Sequence, residues 1–111
     1  MITVTIFYPA EPGRRFDHDY YVGTHIPMAL ALLGPSVRSV SVDRGVSPGG
    51  MWPASTYFAI CRFQCDSLEA YEQAAALHGG ALQADVANYS DVAPIIQIGE
   101  VLLDEAGHAP A

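Results

Sequence analysis

Phe16 to Gly34 reads FDHDYYVGTHIPMALALLG, and the spacing inside it decides how the rest of the chain is understood. Asp17, Tyr21 and His25 recur every four residues, so a helix stacks them on one face about 5–6 Å apart per step. A carboxylate, a phenol and an imidazole then share one stripe. Asp17 is placed to cap that helix, because its carboxylate can take a first-turn amide that otherwise lacks a partner. Gly34 and Pro35 end the helix, which therefore runs from Asp17 to about Leu33. Pro27 interrupts it: proline cannot donate to the Gly23 carbonyl, and its ring crowds the preceding turn. The sequence predicts a kink between Gly23 and Pro27, which either aims His25 into a cleft or only fits the helix to a curved sheet.

Outward from this helix the pattern changes to strands. Met1–Tyr8 (MITVTIFY) alternates, with Ile2, Val4, Ile6 and Tyr8 on one face and Thr3, Thr5 and Phe7 on the other. Pro9–Arg15 (PAEPGRR) breaks it and leads to the helix. Ser36–Val46 alternates through Val37, Val40 and Val42 and reads as a second strand. Pro48–Ala54 (PGGMWPA) is a turn, whose Met51 and Trp52 either cover a pocket or partner or tuck against the rim of the core. Thr56–Cys65 is a third strand, dense in aromatic and β-branched residues. Asp66 or Ser67 caps a second helix that runs to about His78, where Gly79 and Gly80 interrupt it. Ala81–Ala87 adds one or two turns before the polar segment Asn88–Asp91, and Ile95–Leu103 is the last strand.

The order β, α, β, β, α, β is that of a ferredoxin-like α+β fold, a four-stranded antiparallel sheet with both helices on one face. Residues 1–104 form the domain and 105–111 a flexible tail. The helix-free face is expected to be too apolar to stay wet, so two copies would cover it. Cys61 and Cys65 lie in one strand about 13 Å apart at ~3.3 Å per residue, too far for a disulfide. They are expected to be reduced and buried.

The 111 residues are 50% hydrophobic and 15% charged, with a mean hydropathy of +0.20. This apolar excess also points to a second copy as partner. A net charge of −7 argues against nucleic acid and anionic membranes. No apolar run reaches membrane-spanning length, and the first residues do not read as the basic and apolar regions of a signal peptide, so the expected location is the cytoplasm. Gly49 and Gly50 are not followed by the residues of a phosphate loop. The remaining histidines, His18, His78 and His108, are expected to be solvated. Without a histidine pair at ligand spacing and a third ligand nearby, no metal is expected.

FDHDYYVGTHIPM, from Phe16 to Met28, and NYSDVAPIIQIGEV, from Asn88 to Val101, resemble the EthD family, proteins named from ethyl tert-butyl ether degradation clusters. The resemblance covers Ile2 to about Leu103. It implies a dimeric α+β barrel with a pocket between sheet and helices in each protomer. Relatives of that architecture include cofactor-free isomerases of methylated muconolactones, polyketide cyclases, decarboxylases and monooxygenases. The matching motifs mark Asp17, Tyr20, Tyr21, Thr24, His25, Pro27, Asn88 and Tyr89, while Met28, where the family has Leu, and the long 48–54 turn depart from its pattern. A reductase label given to family members finds no dinucleotide fingerprint here.

These residues suit one kind of chemistry. His25 is the natural acid or base, with Tyr21 as a second catalytic group donating to a developing enolate or phenolate oxygen. Asp17, Tyr20, Thr24, Asn88, Tyr89 and Trp52 are candidate substrate-binding residues. Isomerisation, cyclisation, dehydration or decarboxylation of a lactone or aromatic compound would need no cofactor. The other class of function is a non-catalytic module that binds a small apolar or aromatic molecule or accompanies an oxygenase. In that case Asp17 is only a cap, the tyrosines cover the core and His25 bonds the carbonyl freed by Pro27.

Overall fold

The computed structural model describes residues 1–103. The expected tail and His108 lie outside the described residues. Four strands, β1 (Ile2–Pro9), β2 (Ser39–Arg44), β3 (Tyr57–Cys65) and β4 (Ile95–Glu100), form one antiparallel sheet in the order β2-β3-β1-β4. The helices cover one face, giving the expected ferredoxin-like α+β fold. The last strand stops at Glu100, short of the expected Leu103.

The first helical segment begins as expected at Asp17, whose carboxylate accepts from the Tyr20 amide at 3.0 Å. It is not a simple kinked helix. A short α1 (His18–Tyr20) passes into a π turn (Tyr21–His25) and then into α2 (Ile26–Leu33). The Ile26 amide reaches back to the Tyr21 carbonyl, five residues rather than four, so one extra residue is accommodated just before the proline that cannot donate. The irregularity expected between Gly23 and Pro27 is thus a widened turn that starts at Tyr21. Gly34 closes α2 at a positive φ of 56°, a conformation in which a side chain would be strained.

The second helix corrects two expectations. Ser67, one of the two expected caps, accepts from the Ala70 amide at 3.1 Å, but α3 (Leu68–Asp85) then runs unbroken for 18 residues through Gly79 and Gly80. Each glycine costs about 1 kcal/mol against alanine, but the surrounding Ala, Leu and Gln favour helix and α3 packs on α2. His78 is therefore inside the helix and half-buried rather than at its solvated end.

Cross-strand register sorts the sheet into two faces. Under the helices lie the rows Val40, Phe63, Val4, Ile98 and Val42, Cys61, Ile6, Ile96. Val4, Ala59, Cys61, Phe63 and Cys65 are fully or almost fully buried there with Ala29, Leu33, Tyr8, Tyr21 and Tyr89. Both cysteines are free, as expected. A register shift after Tyr8 pairs Tyr8 with Ala59 and Pro9 with Tyr57. It turns Phe58 under the helices, where it stacks on Phe16 at 5.9 Å, and Tyr57 to the open face against Phe7.

The open face is not the apolar surface expected. Its first two rows are Ser39, Gln64, Thr3, Gly99 and Ser41, Arg62, Thr5, Gln97; only the third, Asp43, Ile60, Phe7, Ile95, is largely apolar. The apolar excess of the composition appears instead at scattered exposed positions such as Met51, Leu77, Ile96 and Ile98. The helices leave the β4 end of their own face partly open.

Candidate functional site

The two family-like segments are tied to each other. Phe16 and Ser90 form a bridge, the Asp17 amide donates to the Tyr89 carbonyl at 2.7 Å, and the Arg15 amide donates to the Asp91 carboxylate at 2.7 Å. The Arg15 guanidinium donates to the Ala87 carbonyl at 2.8 Å and to that of Asn88 at 3.4 Å. It thus answers carbonyls left free where the helical segment after α3 ends. This lacing brings the stripe of the first helix against residues more than sixty positions away.

At the centre is His25, only 7% exposed. Its Nδ1 lies 2.8 Å from Asp85 Oδ2, and its Nε2 lies 3.3 Å from the Tyr89 hydroxyl. The Tyr89 hydroxyl is in turn 2.7 Å from that of Tyr8. On the outer side, Asp85 Oδ1 accepts from Tyr20 at 2.8 Å and from Asn88 Nδ2 at 2.9 Å. The result is a line of hydrogen bonds from Asp85 near the surface through His25 and Tyr89 to Tyr8 on the sheet. The rings enclosing it are in close aromatic contact, with Tyr21 stacked on His25 at 5.5 Å and Tyr89 tilted on it at 4.7 Å.

The electrostatics follow from this packing. The hydrogen bond from His25, followed by that from Asn88, holds the Asp85 carboxyl below its usual range. Burial pushes the phenols of Tyr8, Tyr21 and Tyr89 up, so all three stay protonated at neutral pH. The same effect raises the Cys61 thiol to about 11, which leaves it an inert filler. Tyr20 is raised chiefly because its hydroxyl donates to Asp85. The Tyr21 hydroxyl, beside the Tyr8 hydroxyl and the Cys61 thiol, is the one buried side-chain nitrogen or oxygen among the described residues without a hydrogen-bond partner.

Of the sequence candidates, the structure brings Tyr20, Tyr21, His25, Asn88 and Tyr89 together. Asp17 stands at the edge as the cap, joined to Tyr89 through its backbone. Thr24 is exposed on the outer side of the π turn, and Trp52 is 64% exposed in the β2–β3 connection. His18 is not solvated: its Nε2 donates to the Phe58 carbonyl at 2.8 Å, and its ring meets Phe16 edge-on. Sequence reasoning missed Asp85 and Tyr8. Both had a signal: Asp85 lies one helical step before Asn88, and Tyr8 is a phenol at an inward strand position that must find a partner.

Two concavities lie away from this network. A groove of about 740 Å³ on the open face touches Thr3, Ser41, Arg62, Gln64 and the Glu100–Leu103 segment. A smaller one of about 270 Å³ sits at the β2–β3 end. No group of three or more His, Cys, Asp or Glu residues able to hold a metal occurs among the described residues. None of the described helices is long and apolar enough to cross a membrane.

Fold and site together define a small ferredoxin-like α+β domain in which a partly exposed carboxylate, a buried imidazole and buried phenols stand in line. The EthD domain family matches residues 13–93, and the chain belongs to that family. An EthD-like protein from Ralstonia eutropha JMP134 is similar along 95% of both chains, with 38% identity and a TM-score of 0.89. An EthD family protein from Bacillus halodurans C-125 is 24% identical over 90% of this chain and 97% of its own, with a TM-score of 0.69. A dimeric protein of unknown function and ferredoxin-like fold from Bacteroides fragilis NCTC 9343 shares the fold at 12% identity, covering 89% of this chain and 94% of its own, with a TM-score of 0.56. No protein of curated function matches the sequence.

Proposed function

We propose that this EthD-family protein is a cofactor-free acid–base enzyme of the isomerase, cyclase or decarboxylase type, acting on small aromatic, lactone or polyketide-like compounds with His25 as base. The observation that carries this reading is the pairing of the two imidazole nitrogens with groups of opposite character, a carboxylate on Nδ1 and a neutral phenol on Nε2. A histidine held this way is oriented for proton transfer at one nitrogen. The π turn that carries Tyr21 and His25 supports it, since such turns recur at functional sites. Tyr21, whose hydroxyl is otherwise unpartnered, is the donor for a developing oxyanion.

The protein would work in the cytoplasm as a homodimer. Its sheet offers a second copy an apolar row of Phe7, Ile60 and Ile95, with Tyr57 beside it. The fold neighbour from Bacteroides fragilis is itself dimeric.

Deuterium uptake next to the carbonyl of a panel of small lactones, β-dicarbonyls and phenolic ketones in D2O, followed by proton NMR, tests the reading. At least one compound should exchange faster with the protein, and His25→Ala should remove the gain. Exchange that survives His25→Ala rejects His25 as base.

A second reading, a non-catalytic module for a small apolar molecule, is favoured by one specific observation. Tyr8 and Tyr89 are 2% and 0% exposed, and their hydroxyls are already satisfied by each other and by His25. A panel that binds but never exchanges would support this alternative.

A further inference from the structure

We propose that Asp85 is the positioning residue of this site: it fixes the His25 ring with a proton on Nδ1 and leaves Nε2 to a two-phenol chain that reverses direction when the histidine gains a proton. The use of this device rests on the acid–base reading, but the tautomer is a property of the resting protein and is tested without substrate.

The assignment follows from counting donors. An ionised carboxylate only accepts, and Asp85 takes three hydrogen bonds, from Tyr20, Asn88 and His25. Nδ1 must therefore carry hydrogen in either charge state of the ring. When the ring is neutral, Nε2 has a lone pair and can only accept, so Tyr89 donates to it. The Tyr89 oxygen then accepts from Tyr8, at 2.7 Å the shortest of these bonds.

When the ring is charged, Nε2 donates to Tyr89 and Tyr89 donates to Tyr8. In the charged state the Tyr8 proton turns toward the Tyr21 oxygen beside it, so Nδ1, Nε2 and the Tyr89 hydroxyl keep partners in both states, where a stranded one would cost about 1–3 kcal/mol. A proton received at the Tyr8 oxygen moves the Tyr8 proton to Tyr89 and the Tyr89 proton to Nε2. Two neutral phenols and an imidazolium result, with the charge beside the Asp85 carboxylate. The Tyr8 end of this chain lies against the unpartnered hydroxyl of Tyr21.

Asp85 is suited to the task because its support comes from two sides. Tyr20 precedes the π turn and Asn88 ends the turn after α3, so the carboxylate can rotate little without losing a bond. Its side chain is 13% exposed and that of His25 9%, which keeps water from competing for Nδ1.

Long-range proton–nitrogen correlation NMR of 15N-labelled protein, at a pH where the ring is neutral, reads the tautomer directly. His25→Gln identifies the signals. We expect a protonated Nδ1 and a bare Nε2 in the native protein. Asp85→Asn should move the population toward Nε2–H, Asp85→Glu should restore it, and Tyr89→Phe should leave it on Nδ1. A native ring protonated at Nε2, or an unchanged tautomer in a folded Asp85→Asn variant, overturns the proposal. If Asp85→Asn does not fold, the native spectrum still decides. Failure of the deuterium-exchange panel with the Nδ1–H tautomer present would reject the catalytic reading and leave this one standing.

Discussion

The two faces of the sheet carry similar polar chemistry and treat it in opposite ways. On the helix-covered face Tyr8, Tyr89, His25 and Asp85 are joined end to end. On the open face, Ser39, Gln64, Thr3, Ser41, Arg62 and Thr5 stand on neighbouring positions of three strands. Among these six, the one side-chain hydrogen bond between described residues runs from Ser39 to Gln64 at 3.0 Å. The difference is water. A buried donor without a partner loses its solvation for nothing in return, whereas an exposed one loses little. Polar groups under the helices are therefore held in one connected line, and those outside stay free to rearrange until something covers them.

Substitutions that break this contrast should fall in a clear order. Tyr89→Ala empties a fully buried ring site and severs the line, and should cost about 3–5 kcal/mol in urea unfolding. Tyr89→Phe keeps the ring but strands Tyr8 and Nε2, with an expected loss of about 1–3 kcal/mol.

A smaller effect is expected from Asp85→Asn, and it should depend on pH. The native carboxyl is held below its ordinary value of 3.8 by His25 and Asn88. A group that is more acidic folded than unfolded contributes its full stabilisation above the unfolded value and loses it as pH falls through the folded one. The gap in urea midpoint between native protein and variant should be present at pH 6 and shrink as pH drops below 3.8; a gap that grows on acidification would contradict the pairing.

On the open face Thr5→Val should change stability by no more than about 0.5 kcal/mol. A loss there as large as that of Tyr89→Phe would mean that the outer polar groups are held as firmly as the inner ones. Phe7→Lys should leave the fold intact and shift sedimentation toward monomer if that face joins two copies.

Much of the architecture was legible because it depends on local pattern. The alternation in β1 and β3, the caps at Asp17 and Ser67 and the stop at Gly34 are each decided by a few neighbouring residues. Three features were not legible in that way. The π turn arises from a compromise between Pro27 and the burial of both Tyr21 and His25, which periodicity alone cannot show. Gly79 and Gly80 look like a break until α2 is known to support the helix through them. The polar character of the open face was obscured by an apolar composition whose excess sits elsewhere, at Met51, Leu77, Ile96 and Ile98.

The site was half visible for a related reason. The stripe of the first helix supplied Tyr21 and His25, and the resemblance supplied Tyr20, Asn88 and Tyr89. Asp85 lay in a segment read only as extra helical turns, and Tyr8 in a strand read only as core. Thr24 and Trp52 fall outside the cluster because helical spacing does not say which side of a turn faces in, nor does an aromatic in a glycine-rich turn imply burial.

The lacing between residues 15–17 and 88–91 also bears on how the protein comes into being. The partners of His25 are 60 and 64 positions further along the chain. During synthesis the histidine leaves the ribosome long before either of them, and no nascent chain ending before Tyr89 contains the complete line. These contacts are long-range in sequence, and bringing such distant segments together slows folding more than it costs stability, because closure entropy grows only with the logarithm of loop length. The site is therefore assembled from the two ends of the chain, and a product truncated before Tyr89 lacks it altogether.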